Sequence, residues 1–191
     1  MRDTKQIRTV MTEFNTRGED DDQDLFIEGR FIPYGQETEL WPGAFEEIAP
    51  TACDETLGED IRALTNHNTT LVLGRNTTGT LKLENRANGL WSEIKINRDD
   101  TDAMNTYARV KRGDVNQCSF GFNILEELTD WREDGTVKWT ITKIRLFEVS
   151  VCTFPAYEQT SIQARKAEVE QHKKRQMEQR KKELKERIKN A

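Results

Sequence analysis

Two stretches of alternating apolar residues, 115–128 and 137–153, flank the charged tetrapeptide Arg132-Glu133-Asp134-Gly135. Successive side chains on a strand point to opposite faces, and an Asp-Gly pair is suited to reversing the chain. The pattern predicts two long strands joined by a turn, and the rest of the domain must pack around them. In Gln117-Cys118-Ser119-Phe120-Gly121-Phe122, alternation puts Cys118 and both phenylalanines on one face, leaving Ser119 and Gly121 on the other. In Arg145-Leu146-Phe147-Glu148-Val149-Ser150-Val151-Cys152 both faces are largely apolar, as in a central strand, and Glu148 shares its face with Leu146, Ser150 and Cys152.

The flanking sequence is punctuated as a β-rich fold requires. Residues 25–35 read as a strand with Pro33 near its end. Short strands are expected at 61–64, 71–73, 80–83 and 90–96, separated by Gly- and Asn-rich turns. Pro42-Gly43-Ala44-Phe45-Glu46-Glu47-Ile48 suggests a short helix opening on a turn, and 49–59 a loop. Residues 99–111 have helical spacing, with Asp99 or Asp100 as N-cap and Gly113 just past the end. From Arg165 to Lys189 the chain is charged and free of Gly and Pro, which predicts an exposed helix with too few apolar positions for a coiled-coil seam. The expected organisation is an arm over 1–24 ending in an acidic loop, a domain over 25–157, and a linker with a charged helical tail over 158–191.

Charge narrows the function classes. The net charge of −5 divides between a tail (165–191) with 11 Lys/Arg against 5 Asp/Glu and a remainder with 18 against 29. An acidic body argues against nucleic-acid binding, and leaves the tail as the basic element. No apolar run is long enough to span a membrane, and the first residues lack the apolar core of a secretory signal. Three cysteines without zinc-type spacing fit reduced thiols in a cytosol. With two histidines in the chain, a His-rich metal site is not expected, and no cofactor motif is present.

His172 lies in the charged tail, so His67 is the one histidine of the body. Ser119 lies beside Gly121, where a substrate backbone could approach the hydroxyl closely. Glu148 on an apolar strand needs a partner, because burying an unpaired carboxylate is costly. An imidazole that becomes cationic in turnover is one such partner; Arg145 is a purely structural alternative. Together these residues supply the parts of an activated serine. Each has a bland reading too: Ser119 as a small residue at a tight strand crossing, His67 as a structural histidine.

In order along the chain stand Pro33-Tyr34-Gly35, Trp41-Pro42-Gly43-Ala44-Phe45, Leu64-Thr65-Asn66-His67-Asn68, Leu73-Gly74, Gly89-Leu90, Ser119-Phe120-Gly121-Phe122, Glu148-Val149-Ser150 and Phe154-Pro155-Ala156-Tyr157. In these motifs and their order the chain resembles the prohead (capsid maturation) protease family of tailed bacteriophages. The resemblance implies a serine endopeptidase with His67 as general base, Ser119 as nucleophile and Glu148 orienting the histidine. It implies a β-rich α+β fold similar to herpesvirus assemblins, a closed or nearly closed β-barrel with surrounding helices, here with a charged C-terminal helix. It further implies a homodimer in the host bacterial cytoplasm, inside the assembling prohead, cleaving the major capsid protein or its scaffold segment and also itself. Assemblins use arginines soon after the third member of their triad; no Arg follows Glu148 until Arg165, so that role is not transferred. Competing readings are a Cys118-dependent protease, a non-catalytic assembly protein with a binding tail, and a tail that binds packaged DNA.

Overall fold

A computed structural model describes residues 5–18, 24–154 and 159–189, with the side chains at 159–162 and 164 left aside. The acidic run at 19–23 and the Pro155-Ala156-Tyr157 junction lie outside the described residues. The chain forms two units, Met1–Tyr157 and Glu158–Ala191. In the first are strands β1 (Gln6–Met11), β2 (Asn15–Arg17), β3 (Leu25–Pro33), β4 (Thr38–Trp41), β5 (Ala44–Ile48), β6 (Arg62–Thr65), β7 (Asn68–Arg75), β8 (Leu81–Arg86), β9 (Gly89–Ile96), β10 (Gln117–Trp131) and β11 (Val137–Cys152), and helix α1 (Thr101–Arg112). The second unit contains helix α2 (Gln159–Lys189), whose apolar Met177, Leu184 and Ile188 are exposed. No helix among the described residues is long and apolar enough to cross a membrane.

The strands make a seven-stranded sheet, ordered β1-β10-β11-β5-β4 with β6 on β11 and β7 on β6, and a four-stranded sheet, β2-β3-β9-β8. This is a β-rich α+β fold of mixed sheets. Neither path closes on itself among the described residues, but the larger sheet curls far enough for Arg8 of β1 to bond Glu46 of β5.

Strand β11 organises the larger sheet. One edge pairs antiparallel with β10 along most of its length. The other takes β5 in parallel over Val137–Ile141 and β6 in parallel over Glu148–Val151. In the gap between those partners, Ile144 N–H donates to Ala52 O and Leu146 N–H to the Thr56 hydroxyl, so the buried backbone stays satisfied. Period-two alternation sends Phe120, Phe122, Val149 and Val151 into a core shared with Ile27, Phe31, Leu90 and Ile94 of the smaller sheet. Each such side chain contributes about 1.5–3 kcal/mol of burial. The Phe120 and Phe122 rings stack at 5.0 Å between centroids.

The short helix expected at 42–48 is instead a turn at Gly43 (φ 82°) followed by β5. Ala44, Glu46 and Ile48 are all buried, and a two-residue period can satisfy three alternate buried positions where a helical turn cannot. Helix α1 is capped by the Asp100 carboxylate, which accepts from Asp102 and Ala103 N–H, and closes at Gly113 in the left-handed region.

Gly74 on β7 is a tight crossing of backbone: a Cβ there would lie 2.8 Å from the Thr80 carbonyl oxygen and 3.3 Å from Ile94. Gly74→Ala should lower the unfolding free energy by about 1–3 kcal/mol. Urea denaturation checks this; an unchanged midpoint would contradict the packing described.

Candidate active site

Strands β6 and β7 are joined by two residues, Asn66 and His67, and both hold positive φ (52° and 59°). Two consecutive left-handed residues match the twist of a two-residue hairpin turn. Asn and His enter that region more often than most residues, yet each does so at a cost of about 1–3 kcal/mol, which the surroundings must hold in place. They do so through β11. Asn66 N–H donates to Val151 O at 2.9 Å, and its side-chain carbonyl accepts from Thr153 N–H at 2.9 Å. His67 N–H donates to Ser150 Oγ at 3.2 Å.

The turn aims the imidazole at Glu148. His67 Nδ1 is 2.7 Å from Glu148 Oε1, while Ser150 Oγ donates to Glu148 Oε2 at 2.7 Å. Lys5 Nζ lies 3.2 Å from Oε1 as well. Burial pushes the Glu148 carboxyl up, but the bond and charge of His67, the Ser150 hydroxyl and the Lys5 ammonium outweigh it and hold the carboxyl below its ordinary value. An ionised Glu148 fixes Nδ1 as the protonated nitrogen and leaves Nε2 as the one available to accept a proton. Arg145, the alternative partner, bonds Glu59 instead.

Ser119 stands on the same face. It is registered directly across the β10–β11 ladder from Ser150, the residue that anchors His67, and Gly121 is across from Glu148. A Cβ at 121 would run into Glu148 Oε1 and the end of the Lys5 side chain, so a side chain there would push the carboxylate out of the place its bonds hold. The Ser119 hydroxyl is fully buried, donating to Arg8 O at 2.8 Å and accepting from Thr9 Oγ1 at 3.2 Å. His67 Nε2 meets Cys152 Sγ at 3.8 Å. Burial and the Glu148 charge push the Cys152 thiol up to about 12, which leaves it almost wholly protonated near neutrality. Cys118 points into the core and bonds the Arg30 and Phe31 carbonyls, and burial raises its thiol further still.

The fold thus gathers His67 and Glu148 into a bonded pair and sets Ser119 beside their anchor, without a bond between Ser119 and the imidazole. Ser150 and Lys5 had no assigned role in the sequence. Ser150 was reachable by its two-residue offset from Glu148, whereas nothing local marks Lys5. Among the described residues, no group of three or more His, Cys, Asp and Glu is arranged to hold a metal ion. A cleft of about 740 Å³ lined by Met11, Phe14, Arg30 and Trp91 contains none of the three candidate residues.

The chain matches the caudovirus prohead serine protease family over residues 12–175. It belongs to that family. The prohead protease is an enzyme of capsid maturation. Among solved structures the bacteriophage T4 capsid assembly protease, gp21, is similar in fold, with a TM-score of 0.53 at 9% identity over 78% of this chain and 96% of the other. No curated protein sequence matches.

The depressed Glu148 carboxyl carries a pH signature. Its contribution to stability is complete above the ordinary carboxyl value of 4.5 and is lost as pH falls through the lower folded value. The difference in unfolding free energy between the wild type and Glu148→Gln should be flat across neutral pH and shrink in acid. Urea titrations at neutral pH and near pH 3 measure it, and a pH-independent difference would contradict an ionised, partnered Glu148.

Proposed function

We propose that this prohead protease is a serine endopeptidase that cleaves segments of the major capsid protein or its scaffold, and itself, inside the assembling prohead in the bacterial host. The observation that carries the reading is the buried Glu148–His67 bond with Ser119 across the ladder from His67's anchor. Ser119 Oγ attacks the peptide carbonyl carbon as His67 Nε2 takes its proton. Glu148 stabilises the imidazolium so formed, which then protonates the leaving amine. Water, activated by the same nitrogen, hydrolyses the acyl ester and returns the proton to Ser119. For the hydroxyl to enter this cycle it must give up its bond to Arg8 O and turn to His67.

Serine is favoured over either nearby thiol because Cys118 faces the core and Cys152 is held protonated by burial beside a carboxylate. The structural likeness to a capsid assembly protease supports capsid or scaffold protein as substrate. The curl that joins Arg8 to Glu46 supports a nearly closed, assemblin-like barrel. We assign a homodimer to the active form by analogy with assemblins. We assign the charged tail, net +6 over residues 165–191 by 11 Lys/Arg against 5 Asp/Glu, to docking on scaffold or shell.

The test is incubation with purified capsid protein. Ser119→Ala should lower cleavage by about 10⁴-fold or more while remaining folded, and Cys118→Ala and Cys152→Ala should retain it. A folded Ser119→Ala variant with full activity, or loss of activity in a cysteine variant alone, overturns the assignment. Binding of capsid protein by the wild type without any cleavage would favour a non-catalytic assembly role.

A further inference from the structure

Strand β1 is the edge of the larger sheet and lies along the part of β10 that carries Ser119. Gln6–Met11 runs antiparallel to β10, with Thr9 opposite Ser119 and Ile7 opposite Gly121. Its Arg8 carbonyl and Thr9 hydroxyl hold the Ser119 hydroxyl, whose residue is 0% exposed. Just ahead of the strand, Lys5 Nζ sits 3.2 Å from Glu148 Oε1, the oxygen that also meets His67 Nδ1. One short segment therefore covers the hydroxyl and places a cation on the carboxylate that serves the base.

An endopeptidase must hold an extended peptide beside its nucleophile, and pairing that peptide with an exposed strand edge is a general way to do so. β1 is an extended peptide held in that manner. Its only ladder among the described residues is the one with β10, so its departure would expose a free edge beside Ser119. The family match begins at residue 12, immediately past Met11, so β1 lies outside the span that matches. Among its side-chain ties is the Arg8–Glu46 ion pair, with N–O distances of 2.6 and 3.0 Å.

We infer that β1 is a resident stand-in for substrate: it occupies the place along β10 that an extended peptide segment takes during turnover, and the enzyme is self-inhibited until β1 swings out. The inference rests on Ser119 being the nucleophile. Departure of β1 would uncover the hydroxyl, remove Lys5 from Glu148 and leave His67 and Ser150 as the partners of that carboxylate. It would also leave Glu46, 4% exposed, without Arg8, so the closed form is favoured until a peptide competes for the edge.

The experiment tethers the strand in the full-length chain. Met11 and Gln117 are registered opposite one another, and Met11 is 65% exposed. In the Met11→Cys, Gln117→Cys double variant, mild oxidation joins the two thiols and dithiothreitol separates them. Wild type carried through the same oxidation controls for Cys53, Cys118 and Cys152. The probe is a fluorophosphonate: Ser119 Oγ bonds to phosphorus, fluoride leaves, and His67 takes the hydroxyl proton. The inference predicts that the oxidised variant is labelled at least tenfold more slowly than the same protein after reduction, with wild type indifferent to the treatment. Equal labelling of both forms at Ser119 overturns the inference while leaving the nucleophile assignment intact. A reduced form that cleaves capsid protein yet is never labelled at Ser119 overturns the nucleophile assignment, and the inference with it.

Discussion

A carboxylate in the middle of a hydrophobic strand is the constraint on which this structure turns. Glu148 is 5% exposed at its side chain, and its charge is tolerable only because each oxygen is bonded, one to His67 Nδ1 and the other to Ser150 Oγ. Removing either partner would leave an incompletely compensated charge within a packed sheet. The same bonds fix the tautomer and orientation of the imidazole. Stability and chemistry are in this way tied to one set of contacts.

The long strand β11 makes that arrangement possible. It is long enough to take β5 on one half and β6 on the other, and the β6 pairing delivers the Asn66-His67 turn beside Glu148 and Ser150. Two consecutive left-handed residues without a glycine are a strained choice for a hairpin. A glycine in place of His67 would relax the backbone and remove the proposed base, and the strain fits a residue selected for that proposed role rather than for folding. Gly121 is the complement: its missing side chain admits the carboxylate between adjacent strands.

Much of this was legible in the sequence, for identifiable reasons. Period-two alternation separated Ser119 from Cys118 and placed Phe120 and Phe122 in the core, because the large apolar side chains share one face even where residues 118–122 are buried on both. The cap at Asp100 and the stop at Gly113 follow from local hydrogen bonding and were equally readable. The segment Ala44–Ile48 was not, since Glu46 and Glu47 interrupt the apolar pattern and the buried Glu46 pairs with Arg8, thirty-eight residues away. β1 also lacks a local signal: its apolar and polar residues sort by what β10 presents. The pairing of His67 with Glu148 across eighty-one residues could be suspected from the needs of each group, but its distance and the covering of Ser119 by β1 are properties of the folded chain alone.

The central claim is that peptide bonds are broken through an ester on Ser119. The most direct measurement is to mix the enzyme with capsid protein, quench in acid during turnover, and map the residue that carries a covalent peptide by mass spectrometry. The account predicts an acyl group on Ser119 Oγ, absent when Glu148 is replaced by Gln and turnover collapses. An acyl group on Cys152 or Cys118, or cleavage proceeding at full rate with Ser119 never modified, would contradict it.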